Sequence, residues 1–192
     1  MTQHKRRAVF LDRDGTINVE KEYLHRIEDF EFIPGAPEAI KRLRSAGYLV
    51  IVVTNQSGVA RGYFSQEDVD CLHEHIQQEL MSRGTRIDAF YVCPHHPTKG
   101  LNELRMDCDC RKGSPGMLLR AAEEHDIDLK SSFMIGDKPA DIEAGQRAGC
   151  QAVLVMTGYG RETAQKQSLA KVQKCVDICS ASDYIDKLVT KT

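Results

Sequence analysis

Hydrophobic and polar positions along the chain switch repeatedly between a period of two and a period near 3.6. "RRAVFLD" is short, apolar and β-forming, and reads as a strand. "PGAPEAIKRLRSAG" places Ala36, Ala39, Ile40 and Leu43 on one helical face and stops at Gly47. "YLVIVVTN" is a near-continuous β-branched run, the pattern of a strand buried on both faces. Ser65 caps a helix over "SQEDVDCLHEHIQQELMSRG", with acids in its first turn and Gly84 at its end. "IDAFYVC" reads as a third strand and "SPGMLLRAAEEHD" as a helix entered at Pro115. "SFMIGD" is a fourth strand, "PADIEAGQRAG" a short helix and "QAVLVMTG" a fifth strand. Beyond Arg161 the pattern is less regular and fits one or two helices with a short strand at "KCVDIC".

Strands alternating with helices predict an α/β fold, a doubly wound and mostly parallel sheet with helices on both faces. No repeat or linker breaks the 192 residues, so one domain over 1–192 is expected. With 41% hydrophobic and 28% charged residues the chain can bury a core and falls outside the disordered range. A net charge of −2 leaves no footprint for nucleic acid. Apolar runs such as Tyr48 to Val53 are too short to span a membrane. The apolar run after "MTQHKRR" ends at Asp12, too early for an export signal. Seven cysteines, an odd number, fit a cytoplasmic protein better than a disulfide framework. A monomer is the default expectation.

In open parallel sheets ligands bind beyond the carboxyl ends of the strands. Those ends carry Asp12 and Asp14, then Thr54 and Asn55, then Gly136 and Asp137. Three carboxylates and a hydroxyl therefore converge on one edge. Hard oxygen donors without histidine predict a divalent cation, Mg²⁺ rather than zinc. One stretch, "CPHHPTKGLNELRMDCDCRKG", has little periodicity, and a loop of that length inside a compact domain needs something to hold it.

"LDRDGT", "VVTNQSG", "CRKGSPGM" and "MIGDKPADIEAG" together resemble the four motifs of the haloacid dehalogenase superfamily of phosphotransferases, in order over residues 8–158. The fold implied is the Rossmann-like one of that family. Within it, "FLDRDGTIN", "TNQSGVARG" and "CPHHP…CDCRK" resemble sugar bisphosphate phosphatases of the heptose 1,7-bisphosphate group, with histidinol phosphatases as near relatives. The resemblance implies hydrolysis of a small phosphorylated sugar in nucleotide-activated heptose synthesis, for lipopolysaccharide or surface glycans. Histidinol phosphate is the alternative substrate, and a non-catalytic binding protein on the same fold the alternative of another class.

Asp12 is then the expected nucleophile, ionised without a base, forming an aspartyl-phosphate. Asp14 is the expected general acid and base, with a pKa raised by Asp12 and burial. By resemblance Mg²⁺ is held by Asp12, the Asp14 carbonyl and Asp137. Thr54 would bind the phosphoryl group and Lys112 stabilise its charge. Arg13, Asn55, Gln56, Ser57, Arg111 and Lys138 are candidate substrate contacts. Arg61 and the segment Glu20 to Tyr23 are weaker ones. Asp141 is read as a helix cap or a neighbour of the metal ligands. Gly15 and Thr16 fit a turn in which the threonine hydroxyl bonds locally.

Cys93, His95, Cys108 and Cys110 form C-x-H-x₁₂-C-x-C. Three thiols and an imidazole close a tetrahedral zinc site with no open position, which predicts structural Zn²⁺ in a loop over about 93–112. His96 is the alternative fourth ligand, and the resemblance favours His95. Gly113 stands where the family often has proline, which predicts a looser loop. Only 38 residues lie between Asp14 and Val53, and no domain-sized insertion follows Thr54, so no large cap domain is expected.

Overall fold

The structure, a computed structural model, describes residues 5–166, 169 and 171–189. Six strands, all paired in parallel, form one sheet: β1 (Arg7–Leu11), β2 (Tyr48–Asn55), β3 (Ala89–Cys93), β4 (Phe133–Gly136), β5 (Gln151–Val155) and β6 (Gln173–Cys175). Their order across the sheet is β3-β2-β1-β4-β5-β6. The helices are α1 (Ala36–Ser45), α2 (Ser57–Ala60), α3 (Gln66–Ser82), α4 (Gly116–His125), α5 (Pro139–Ala148), α6 (Gly160–Thr163) and α7 (Ile178–Val189).

Alternation along the strands decides which helix packs where. In β1, Val9 and Leu11 face one core and Ala8 and Phe10 the other, and all four are fully buried. The first core takes Ile40 and Leu43 of α1, Leu72, Ile76 and Leu80 of α3, and Ile178 and Ile185 of α7. The second takes Met117, Leu118 and Ala121 of α4 and Ala144 and Ala148 of α5. Each fully buried side chain of this size contributes about 1.5–3 kcal/mol, so both layers hold the sheet.

The predicted boundaries hold closely. The side chain of Ser65 accepts from Asp68 N at the start of α3, and the Asp68 carboxylate accepts from Ser65 N, a reciprocal cap. The C-terminal strand is shorter than "KCVDIC", because Ile178 and Cys179 already belong to α7. The segment 15–33 returns to the strand end through a pairing of Asn18 with Phe32 and carries only one 3₁₀ turn, Ile27–Asp29, so no cap domain interrupts it.

Candidate active site

The strand order reverses between β1 and β4, so the chain leaves their carboxyl ends in opposite directions and opens a cleft there. Asp12 and Asp14 follow β1, Thr54 lies in β2, and Asp137 follows β4. Lys112 reaches the same place from the loop before α4. Asn55 holds that loop, accepting from Lys112 N at 2.9 Å through Oδ1.

At the floor, Asp12, Asp137 and Asp141 are all buried, with one carboxylate oxygen each within 4.8 Å of the others. Lys112 Nζ lies 2.5 Å from Asp12 and 2.8 Å from Asp141. Lys138, the other cation nearby, is paired with Glu20 at 2.7 Å. Lys112 offsets one negative charge of the three acids, so among the described residues the cluster stays acidic and suits a cation. Asp137 Oδ1 is buried without a partner, while Oδ2 accepts from Tyr159 N at 2.7 Å. Burial, with Asp12 next, pushes the Asp137 carboxyl up to about 8. Burial, and then Asp141, also raise Asp12 against the pull of Lys112 and Lys138. An all-oxygen cluster with an orphaned carboxylate oxygen fits Mg²⁺. Gly15 makes room for the Asp137 carboxylate: at φ +87° the chain turns where a Cβ would overlap it.

Asp14 differs from the expectation. Burial alone would raise it, but the Arg13 guanidinium and the Asn18 and Gln56 amides outweigh burial and hold it below the ordinary carboxylate range. Arg13 donates through Nε and Nη2 at 3.0–3.2 Å, Asn18 Nδ2 at 3.0 Å and Gln56 Nε2 at 2.9 Å. The expected substrate role of Arg13 is corrected by the same contacts. Its side chain is fully buried and turned away from the cleft, with Nη2 also donating to Leu24 O and Nη1 meeting His73 Nε2. Thr16 also departs from expectation, its buried hydroxyl having no partner.

Above the floor lies a cavity of about 510 Å³ lined by Asp14, Asn55, Gln56, Ser57, Arg111 and Lys138, all expected there. Gln56 Nε2 also donates to Thr54 Oγ1 at 2.8 Å, tying the second strand end to Asp14. Glu20, Glu22 and Tyr23 line the rim, with Glu22 and Tyr23 at positive φ, as does Tyr159, which sequence reasoning missed. Tyr159 carries no local signal beyond its place after β5. Arg61 lies outside the cavity wall, over the Tyr23 ring at 5.8 Å. Asp141 is a cap, accepting from Lys138 N at 2.9 Å, and an ion-pair partner of Lys112 as well.

The cysteine loop closes as its spacing implies. Cys110 Sγ lies 3.4 Å from Cys93 and 3.3 Å from Cys108, and His95 Nδ1 lies 3.4 Å from Cys110. These distances fall a little inside the roughly 3.8 Å edge of a zinc tetrahedron with Zn–S bonds of about 2.3 Å. Burial raises the Cys93 and Cys110 thiols, so thiolates there need a cation, and the donor set fits Zn²⁺. His96 is turned elsewhere: its Nδ1 accepts from Thr98 N and Lys99 N. Arg111 Nη1 donates to His95 O at 2.9 Å, so the loop carries this cation to the cavity directly. Gly113 does not loosen the segment. At φ +99° it adopts a conformation closed to proline, and its N–H donates to Ala140 O at 2.9 Å.

The chain belongs to the haloacid dehalogenase-like hydrolases. The family model of that description matches residues 9–87, and a HAD-hydrolase-like model matches 109–179. Among individual relatives, D-glycero-beta-D-manno-heptose-1,7-bisphosphate 7-phosphatase of Pasteurella multocida is 47% identical over 175 residues, covering 90% of this chain and 95% of the relative. The alpha-configured counterpart of Photorhabdus laumondii is 45% identical over 83% of this chain and 87% of the relative. A crystal structure of D,D-heptose 1,7-bisphosphate phosphatase from B. bronchiseptica, complexed with magnesium and phosphate, superposes with a TM-score of 0.84. It is 34% identical, over 97% of this chain and 99% of that one.

Proposed function

We propose that this protein is a Mg²⁺-dependent phosphatase that removes the 7-phosphate of D-glycero-D-manno-heptose 1,7-bisphosphate and leaves the 1-phosphate. The observation that carries the reading is the buried trio Asp12, Asp137 and Asp141, with Lys112 paired to Asp12 and Asp141, at the same strand ends as a cavity lined by Asp14, Asn55, Arg111 and Lys138. Relatives of nearly the full length bear that activity in their names.

An Asp12 carboxylate oxygen attacks the 7-phosphorus, and the bond from phosphorus to the sugar oxygen breaks. The leaving oxygen takes a proton from Asp14, which must first acquire one, since its ligand-free surroundings favour the anion. Water then attacks the aspartyl-phosphate and gives its proton to Asp14. The bond from phosphorus to Asp12 breaks, releasing phosphate and restoring the carboxylate. Thr54 and the backbone before α2 receive the phosphoryl oxygens, and Lys112 balances their charge. Asp12, Asp137 and the Asp14 carbonyl would hold Mg²⁺, with Asp141 beside them. The ion supplies screening between Asp12 and the anionic phosphate.

Asn55 and Gln56 act chiefly by holding Lys112 and Asp14. Ser57, Arg111 and Lys138 face the substrate, Arg111 with a fork suited to its second phosphate. Cys93, His95, Cys108 and Cys110 hold a structural Zn²⁺. The protein works as one domain and a monomer in the cytoplasm, without nucleic acid or membrane. Among the described residues no helix is long and apolar enough to cross a bilayer.

Comparing kcat/KM for heptose 1,7-bisphosphate and histidinol phosphate in Mg²⁺ tests the substrate. The bisphosphate is expected to be turned over far faster. Preference for histidinol phosphate would move the protein to histidine synthesis.

A further inference from the structure

α3 lies outside the catalytic cleft, yet its buried apolar stripe, Val69, Leu72, Ile76 and Leu80, includes one imidazole, His73. A buried imidazole needs a partner. Its ring stacks on Phe90 of β3, with centroids 4.5 Å apart, and its Nε2 sits 3.2 Å from Arg13 Nη1. Arginine only donates, so Nε2 accepts, and the ring is the neutral tautomer with its proton on Nδ1. A protonated ring would set donor against donor.

Every nitrogen of Arg13 is thereby used. Nε and Nη2 grip Asp14, Nη2 also donates to Leu24 O at 3.0 Å, and Nη1 is left to His73. Among the described residues Arg13 is a fully buried cation whose charge is balanced by Asp14 alone. The plane of its guanidinium sets the plane of the carboxylate it grips bidentately. Two anchors on the far side, Leu24 O and His73 Nε2, set the plane of the guanidinium.

We infer that His73 is a positioning residue for the phosphatase reaction: through Arg13 it fixes the carboxylate of Asp14 at the angle needed to hand a proton to the leaving oxygen and take one from water. This rests on the proposed role of Asp14 and extends the catalytic apparatus to a helix on the far side of the first strand end. Its chemistry is specific. A hydrogen-bond acceptor is needed at this point, and size or aromaticity alone will not serve.

His73→Phe keeps the ring and its stacking on Phe90 but removes the acceptor, and His73→Leu stands in if that variant does not fold. With the sugar bisphosphate, kcat is expected to fall about tenfold or more while KM changes less than about twofold, as for outer partners of a catalytic group. His73→Gln, which offers an amide oxygen, should recover most of the rate. An aryl phosphate separates positioning from general damage. Its phenoxide leaves without a proton, so Asp12 should still be phosphorylated quickly, and only the water step, which needs Asp14 as base, should lag. The signature is a burst of about one phenolate per active site followed by slow turnover, absent from the wild type. Wild-type turnover in a folded His73→Phe, or loss of the burst together with turnover, would overturn the inference. Asp14→Asn run in parallel distinguishes the two levels. If it keeps full activity, the role of Asp14 is itself wrong. If it is inactive while His73→Phe is normal, only the inference about His73 fails.

Discussion

Asp12 and Asp14 stand two residues apart and occupy opposite surroundings. Asp12 lies among acids on the cleft floor, and Asp14 is wrapped by Arg13, Asn18 and Gln56. Their identity as a pair was legible, because acids closing a buried strand before Gly-Thr have few purely structural uses. The sign of the Asp14 shift was not, because it depends on an arginine turned inward and two amides brought in from elsewhere in the chain. Arg13 shows the difficulty most clearly: lying between two acids at a strand end, it reads as a phosphate ligand until its burial is seen. At Asp137 the consequence can be measured. Burial, with Asp12 next, pushes its carboxyl up from the ordinary 3.8 to about 8 in the metal-free fold. Below the ordinary value both folded and unfolded chains hold the proton. As pH rises toward 8 the unfolded chain gives it up first, so the metal-free protein loses stability across that window. Mg²⁺ takes the place of the proton. The rise in Tm on adding Mg²⁺ should therefore be larger at about pH 8 than at about pH 5. Equal rises at the two pH values would mean that Asp137 does not exchange a proton for the metal.

Among the elements, strands and long helices could be read almost residue by residue, since each buries a regular face. The zinc loop could be read only as a set of ligands. Its path depends on four side chains meeting in space, and the choice of His95 over His96 rested on the resemblance, since spacing alone allows either. Its final turn joins a thiol ligand to two of the active-site cations: Cys110 is followed by Arg111, anchored on His95 O, and Lys112, anchored on Asn55. Cys108→Ser should lose zinc, lower Tm and reduce kcat/KM by about 10- to 100-fold, since the loop orients groups it does not itself supply. Metal analysis and kinetics on one preparation check this. Full activity in a zinc-free protein would separate the loop from catalysis. The glycine at 113 belongs to the same turn. Its left-handed backbone and its bond to Ala140 tie the loop to α5, where the departure from the family's proline suggested slack.

At the scale of the molecule, the order β3-β2-β1-β4-β5-β6 brings together residues 12, 54, 112 and 137 in one cleft. For residues 12, 54 and 137 that convergence could be inferred from strand polarity, because a parallel sheet has one edge at which all strands end, whereas Lys112 was placed there by the resemblance. The rim was legible only in part: the resemblance pointed to Glu20 to Tyr23, whereas Tyr159 comes from an irregular segment with no periodicity to place it. Among the described residues no cap domain covers the cleft, so the proposed function leaves substrate choice to this rim and to the zinc loop. The central claim is that Asp12 takes the 7-phosphoryl group of a heptose bisphosphate and passes it to water. Following heptose 1,7-bisphosphate with Mg²⁺ by ³¹P NMR tests this most directly, with wild type and Asp12→Asn side by side. The 7-phosphate signal should give way to inorganic phosphate while the 1-phosphate persists, and Asp12→Asn should be slower by at least about 1,000-fold with its fold intact. Loss of the 1-phosphate signal instead, or turnover by Asp12→Asn near the wild-type rate, would contradict the account.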